Sequence, residues 1–359
     1  MNHVTLAIGP SRTRDAVSGD VPPSRYIHHL HLLRGIAIML VVGAHCWPDF
    51  AWSATGHALA LTMFDNVTVV FVFISGLLFQ HLSGRFRYRR YVAHRYTTVI
   101  LPYAVVSIPA IVMVVFVHHR GDIWPWVYQL PVWQQVGFFL VTGKHLAPFW
   151  FIPMLALYIL ISPAFVAIDR RNWYPVALPV LFTLAVLLGR DSVNGMANVF
   201  GKALFMAPAY VAGMAFSRYR QACEAWCVAH RGLLGAAFLL LSALIFAGHI
   251  PGDMALPQKL ALACWLVGML ADARLPNRAD QVLAELARLS FAIYFVHGYV
   301  IASIRMIGQR VEGTASDEIF TGSLPGLLLE IAVVLAISVA IIRVAQMLLG
   351  RWSRYLIGA

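Results

Sequence analysis

The sequence predicts an all-α polytopic transmembrane bundle of about ten spans with both termini in the cytoplasm, and three observations carry that prediction. The 359 residues are 60% apolar and only 12% charged, with a mean hydropathy of +0.73. That is far below the roughly 25% charge of a soluble domain, so a water-soluble fold is excluded. Ten apolar runs approach the roughly 20 residues needed to cross a hydrocarbon core of about 30 Å. With the N-terminus inside, about 20 Lys/Arg flank the inner ends of these runs against about 7 outside, the bias that sets membrane orientation.

In chain order the runs fall at Leu30–Trp47, Met63–Leu82, Thr97–Val117, Pro148–Ile168, Trp173–Gly189, Phe200–Ser217, Gly232–His249, Gln258–Ala273, Leu289–Gly308 and Pro325–Leu348. The apolar stretch Ile123–Val141 carries Pro125, Pro131, Gln134, Gln135 and three tryptophans, which suits an interfacial or re-entrant segment better than a span. Residues 1–25 are expected as a cytoplasmic tail without the apolar core of a cleaved signal peptide. Residues 26–350 form the transmembrane domain, and 351–359 a second cytoplasmic tail. No internal repeat appears, and no connection is long enough for a separate soluble domain.

The net charge of +11 is spread over the inner ends of the spans rather than gathered in one patch. Topology and anionic lipid account for it without nucleic acid. The four cysteines form no pattern: Cys46 and Cys264 lie in or beside spans, and Cys223 and Cys227 are expected in a cytoplasmic loop where thiols stay reduced. No glycine-rich phosphate loop, metal-ligand cluster or nucleophile elbow supports a kinase, metalloenzyme or hydrolase.

An ionisable group inside a span costs at least about 2.5–3.5 kcal/mol on insertion scales, so each calls for a reason. Arg34 and His45 are eleven residues apart on the first run, which sets them nearly in line and about 16 Å apart along a helix. Arg34 then sits at the cytoplasmic mouth and His45 near mid-membrane. The competing reading has Arg34 snorkelling to the inner interface and His45 packing. His297 follows Ser290 by seven residues, one helical face, at a depth close to that of His45. The cluster Arg85–Arg95, including Arg90, suits a topogenic loop, with Arg95 nearest the third run.

The run Leu30–His45, with ten residues between Arg34 and His45, resembles the opening helix of the acyltransferase-3 family of integral membrane acyltransferases. Val70–Leu78 looks like its aromatic-rich Ser-Gly segment. Arg95 with Pro102-Tyr103 resembles the start of its third span, Phe149–Pro153 that of its fourth, and Leu289–His297 its late Ser/Tyr/His helix. The resemblance covers nearly the whole chain. Two departures stand out: His31-Leu32 replaces a frequent Asp-Gly, and Thr98 stands where a second Arg is usual.

The resemblance implies O-acyl transfer, of acetyl or another short acyl group, from cytoplasmic acyl-CoA to a hydroxyl of an extracytoplasmic glycan, glycolipid or secondary metabolite. It also implies a bacterial cytoplasmic membrane, and no permanently bound cofactor or metal. His45 is then the expected base, since an imidazole kept neutral by an apolar setting can take a hydroxyl proton. Arg34, Arg95 and Arg90 are candidate CoA contacts, with His297 and Ser290 placing the acceptor or polarising the thioester. Trp150, His145 and Asp65 are candidate acceptor contacts, although interfacial anchoring uses the same residues. The rival reading, an exporter of a glycan or lipid-linked intermediate, lacks the paired halves usual in transporters. Oligomeric state is open.

Overall fold

The structure, a computed structural model, describes residues 23–190, 198–250, 254–314 and 316–359. The expected N-terminal tail therefore falls almost wholly outside the described residues. Helices α1 (Pro23–Cys46), α2 (Ala54–Phe64) and α3 (Thr68–Leu82) come first, and α2 and α3 meet at a break around Asn66, whose φ of 55° is one that asparagine tolerates. Next are α4 (Tyr88–Arg95), α5 (Leu101–Val112), α6 (Val132–Thr142), α7 (Phe151–Leu160), α8 (Ser162–Arg170) and α9 (Tyr174–Leu188). The order closes with α10 (Val199–Arg218), α11 (Arg220–Ala229), α12 (Arg231–Phe246), α13 (Ala255–Asp272), α14 (Asn277–Glu312), α15 (Leu324–Leu349) and α16 (Ser353–Leu356). Among the described residues all-α holds apart from one two-residue parallel pair, β1 (Phe50–Ala51) with β2 (Phe320–Thr321).

Helix exists at each of the ten predicted runs, but fewer pass as spans. Six helical stretches among the described residues are long and apolar enough to cross a membrane: His28–Asp49, Ala54–Leu82, Tyr88–Val117, Val199–Arg218, Asn277–Glu312 and Leu324–Leu356. Two bent pairs, at 73° and 75°, would bring the number to eight. The shortfall has physical causes. At about 1.5 Å per residue, the 15-residue α9 is too short for a hydrocarbon core. α13 is diluted by Gln258 and Lys259, both turned fully inward. The predicted span Pro148–Ile168 is divided at Ile161, since Pro163 lacks the N–H that would continue α7 into α8.

The Ile123–Val141 stretch is too short and too bent to span alone. Its turn Pro125–Gln129 and α6 pack through Val127 and Phe139 against Ile111, Val114 and Val115 as a small separate apolar cluster. Trp124, Trp126 and Trp133 remain exposed on it. Cys223 and Cys227 lie on α11 rather than in a loop, with Cys227 buried against Cys264; all four cysteines are free.

The main core is built where α3 packs on α10 and α1 on α14. Close approach depends on missing side chains: a methyl on Gly76 would overlap the Tyr210 carbonyl, one on Gly213 the Phe73 carbonyl, and one on Gly35 the Leu283 carbonyl. Such small-residue contacts bring membrane helices together where no hydrophobic drive separates helix from lipid. The segment 351–359, expected as a cytoplasmic tail, packs against the helices. Ser353 is buried, its hydroxyl donates to the Ala359 carbonyl at 3.0 Å, and α16 packs on α5.

Candidate functional site

α1 and α14 bring His45 and His297 together, with ring centroids 5.4 Å apart and planes tilted by 45°. Nδ1 of the fully buried His297 lies 2.9 Å from the Ile293 carbonyl, to which a protonated Nδ1 donates; its Nε2 meets no hydrogen-bond partner among the described residues. That tautomer leaves a lone pair on Nε2 beside His45. His45 lines a cavity of about 10 Å³, room for little more than one water-sized group. Thr68, Trp150 and Tyr294 share its wall, and the Tyr294 hydroxyl is committed to the Pro148 carbonyl.

A second cavity, of about 270 Å³, opens at the Arg34 end of α1. Arg34, Arg95 and Arg354 all line it, and among the described residues no carboxylate does. None of the three is ion-paired to Asp or Glu among the described residues; Arg95 instead lies 5.4 Å over the Tyr91 ring. Phe71 and Phe151 border both this cavity and the His45 cavity, with centroids 6.4 Å apart at a near-perpendicular 82°. The two chambers thus share one aromatic wall. Arg95 reaches the larger chamber from the end of α4, where a π-helical turn, Tyr96–Ile100, leads into α5 and Pro102 has no N–H to donate. Thr98 lines it as well, with its hydroxyl bonded to the His94 carbonyl at 2.8 Å.

The remaining sequence candidates are dispersed. Arg90 is exposed on α4 and does not line the chamber. Ser290 is fully buried two turns before His297, lines neither cavity, and its hydroxyl has no partner among the described residues. Ser75 lines the larger chamber while donating to the Phe71 carbonyl at 2.9 Å. His145 is buried with both ring nitrogens engaged, by the Phe139 carbonyl at 3.0 Å and the Ser107 hydroxyl at 2.8 Å. Asp65 binds Arg190 at 3.2 Å. Trp150 carries Arg190 and Lys202 against its ring at 5.1 and 4.9 Å, a cation–π arrangement at the rim of the His45 cavity.

Sequence reasoning missed Arg354 because it lies beyond the last predicted run, Pro325–Leu348, and Thr68 because an apolar run hides a lone Thr. It also missed the bridge beyond His45, where fully buried Asp49 accepts from Arg305 Nε at 2.9 Å while Arg305 Nη1 reaches Asp317 at 3.3 Å. Asp49 is the first polar residue after α1, and nothing in its local sequence points to a partner 256 residues away.

Comparison with known proteins matches the acyltransferase domain of the acyltransferase-3 family over residues 27–343, nearly the whole chain. The chain belongs to that family. It is accordingly an integral membrane protein and a membrane acyltransferase of the general kind. No curated protein and no solved structure gives a significant match.

Proposed function

We propose that the protein transfers acetyl or another short acyl group from cytoplasmic acyl-CoA to a hydroxyl of an extracytoplasmic glycan, glycolipid or secondary metabolite. In this reading the chain crosses the bacterial cytoplasmic membrane ten times with both termini inside. The six to eight qualifying helices, the apolar helices α9 and α13 and the Lys/Arg bias support that count. The donor's nucleotide occupies the arginine-lined chamber, and its pantetheine arm points past Phe71 and Phe151 toward His45.

His45 removes the acceptor hydroxyl proton as the oxygen attacks the thioester carbonyl carbon. A C–O bond forms, the C–S bond breaks, and the imidazolium returns its proton to the departing CoA thiolate. His297 holds the acceptor side of His45. The observation that carries the reading is the shared Phe71–Phe151 wall, which puts a cationic donor chamber and an imidazole in series. The test is transfer of radiolabelled acetyl from acetyl-CoA by purified protein in liposomes containing envelope extract. Label moving with wild type, and lost with His45→Ala and Arg34→Ala at matched folding, is the expected result. Variants equal to wild type would refute the assignment.

A further inference from the structure

We infer that Arg354, in the short segment after α15, is the third cation of the donor-phosphate site; the inference rests on the reading of the arginine-lined chamber as the donor's.

Three guanidiniums on one chamber of about 270 Å³, with no carboxylate among the described residues of its lining, repel one another. A ligand bearing several negative charges relieves that repulsion, and planar guanidinium forks fit phosphate oxygens in pairs. Arg34 comes from α1 and Arg95 from α4. Arg354 arrives from the opposite end of the sequence and is held by the fold rather than by chance. Ser353 beside it is buried, the Ile357 N–H returns to the Ser353 carbonyl at 2.9 Å, and Gly358 turns with φ +74° into the chamber wall. A Cβ at Gly358 would lie 2.8 Å from the Phe291 ring, so a glycine turn is what lets the segment close against α14. Arg354 itself is exposed at the chamber's rim, placed to meet an incoming anion.

A phosphate-bearing ligand for such a site can be a nucleotide or an anionic lipid headgroup; the exposed guanidinium and the wall shared with the His45 cavity favour the nucleotide. Purified full-length protein in phosphatidylcholine nanodiscs is titrated with CoA, with adenosine 3′,5′-bisphosphate and with pantetheine, and again with anionic lipid added. Arg354→Gln is expected to weaken CoA and the bisphosphate about tenfold or more, the size of a charged hydrogen bond, and to leave pantetheine unchanged. Arg354→Lys is expected to recover much of the loss. Arg354→Gln equal to wild type while Arg34→Gln weakens CoA overturns this inference alone. A wild type that binds no CoA overturns the donor reading with it. A wild type whose CoA binding is abolished by anionic lipid, with Arg354→Gln removing that competition, assigns Arg354 to lipid instead.

Discussion

The imidazole of His45 lies 5.4 Å from that of His297, and the nearer helix carbonyl, Ile293, engages only the Nδ1 side of the latter. Two rings from helices that start about 250 residues apart in sequence therefore meet at one place, and Nε2 of His297 has no hydrogen-bond partner among the described residues.

If they act as a unit, their losses do not add. His45→Ala is expected to lower the acyl-transfer rate by 10²–10⁴, the usual range for losing a general base, with CoA affinity within about twofold of wild type. The His45→Ala/His297→Gln double variant should be little slower than His45→Ala alone. Rates from labelled acetyl-CoA and affinities from titration check both statements; additive losses would show that the rings serve separate steps.

The chamber of about 10 Å³ at His45 holds little more than one small group, so under the proposed function Phe71 and Phe151 are expected to limit acyl length. Phe71→Leu and Phe151→Leu should raise the rate with butyryl- or hexanoyl-CoA relative to acetyl-CoA by about tenfold or more, since one methylene in a fitted pocket is worth roughly 10–200-fold. Competing donors in one reaction give the ratio directly. An unchanged ratio would place the length filter elsewhere.

Gly76 and Gly213 each meet a backbone carbonyl across the α3–α10 contact, so neither tolerates a branched side chain. Gly76→Val or Gly213→Val is expected to destabilise by about 1–3 kcal/mol or more through overpacking. Gly232→Ala, with nothing within 4 Å, should be neutral or slightly stabilising. Thermal unfolding in detergent, followed by size-exclusion monodispersity, measures the difference.

Breaking the Asp49–Arg305 bridge leaves a charge buried without its partner. Arg305→Ala, which strands the buried Asp49, should cost about 3–5 kcal/mol, Asp49→Ala less because Arg305 keeps Asp317, and Arg288→Ala, at an exposed pair with Glu285, at most about 1 kcal/mol. The same unfolding assay ranks the three.

Much of this was legible in the sequence because membrane insertion imposes one-dimensional rules. Length and apolarity located the helices, and the eleven-residue step between Arg34 and His45 put them on the walls of two adjoining chambers. Periodicity could place His297 near the depth of His45 but could not show that α1 packs against α14. Local composition could not show the tertiary contacts of Asp65 and His145 either: Arg190 engages the first, and Phe139 and Ser107 the second. Arg90, from the same basic cluster as Arg95, points away from the chamber because it lies five residues earlier on α4. Span number was the weakest reading, since breaks such as Ile161 depend on single prolines and on how a helix bends.

The π-helical turn at Tyr96–Ile100 has one further consequence. A wider turn acts as one residue inserted into the ladder and rotates everything before it by about 100° relative to everything after it. The interval from Arg95 to Pro102 is therefore a phase setting as much as a length. Removing a single residue within it would shorten the helix by about one step of rise yet swing the guanidinium to another compass bearing, away from the chamber it now serves.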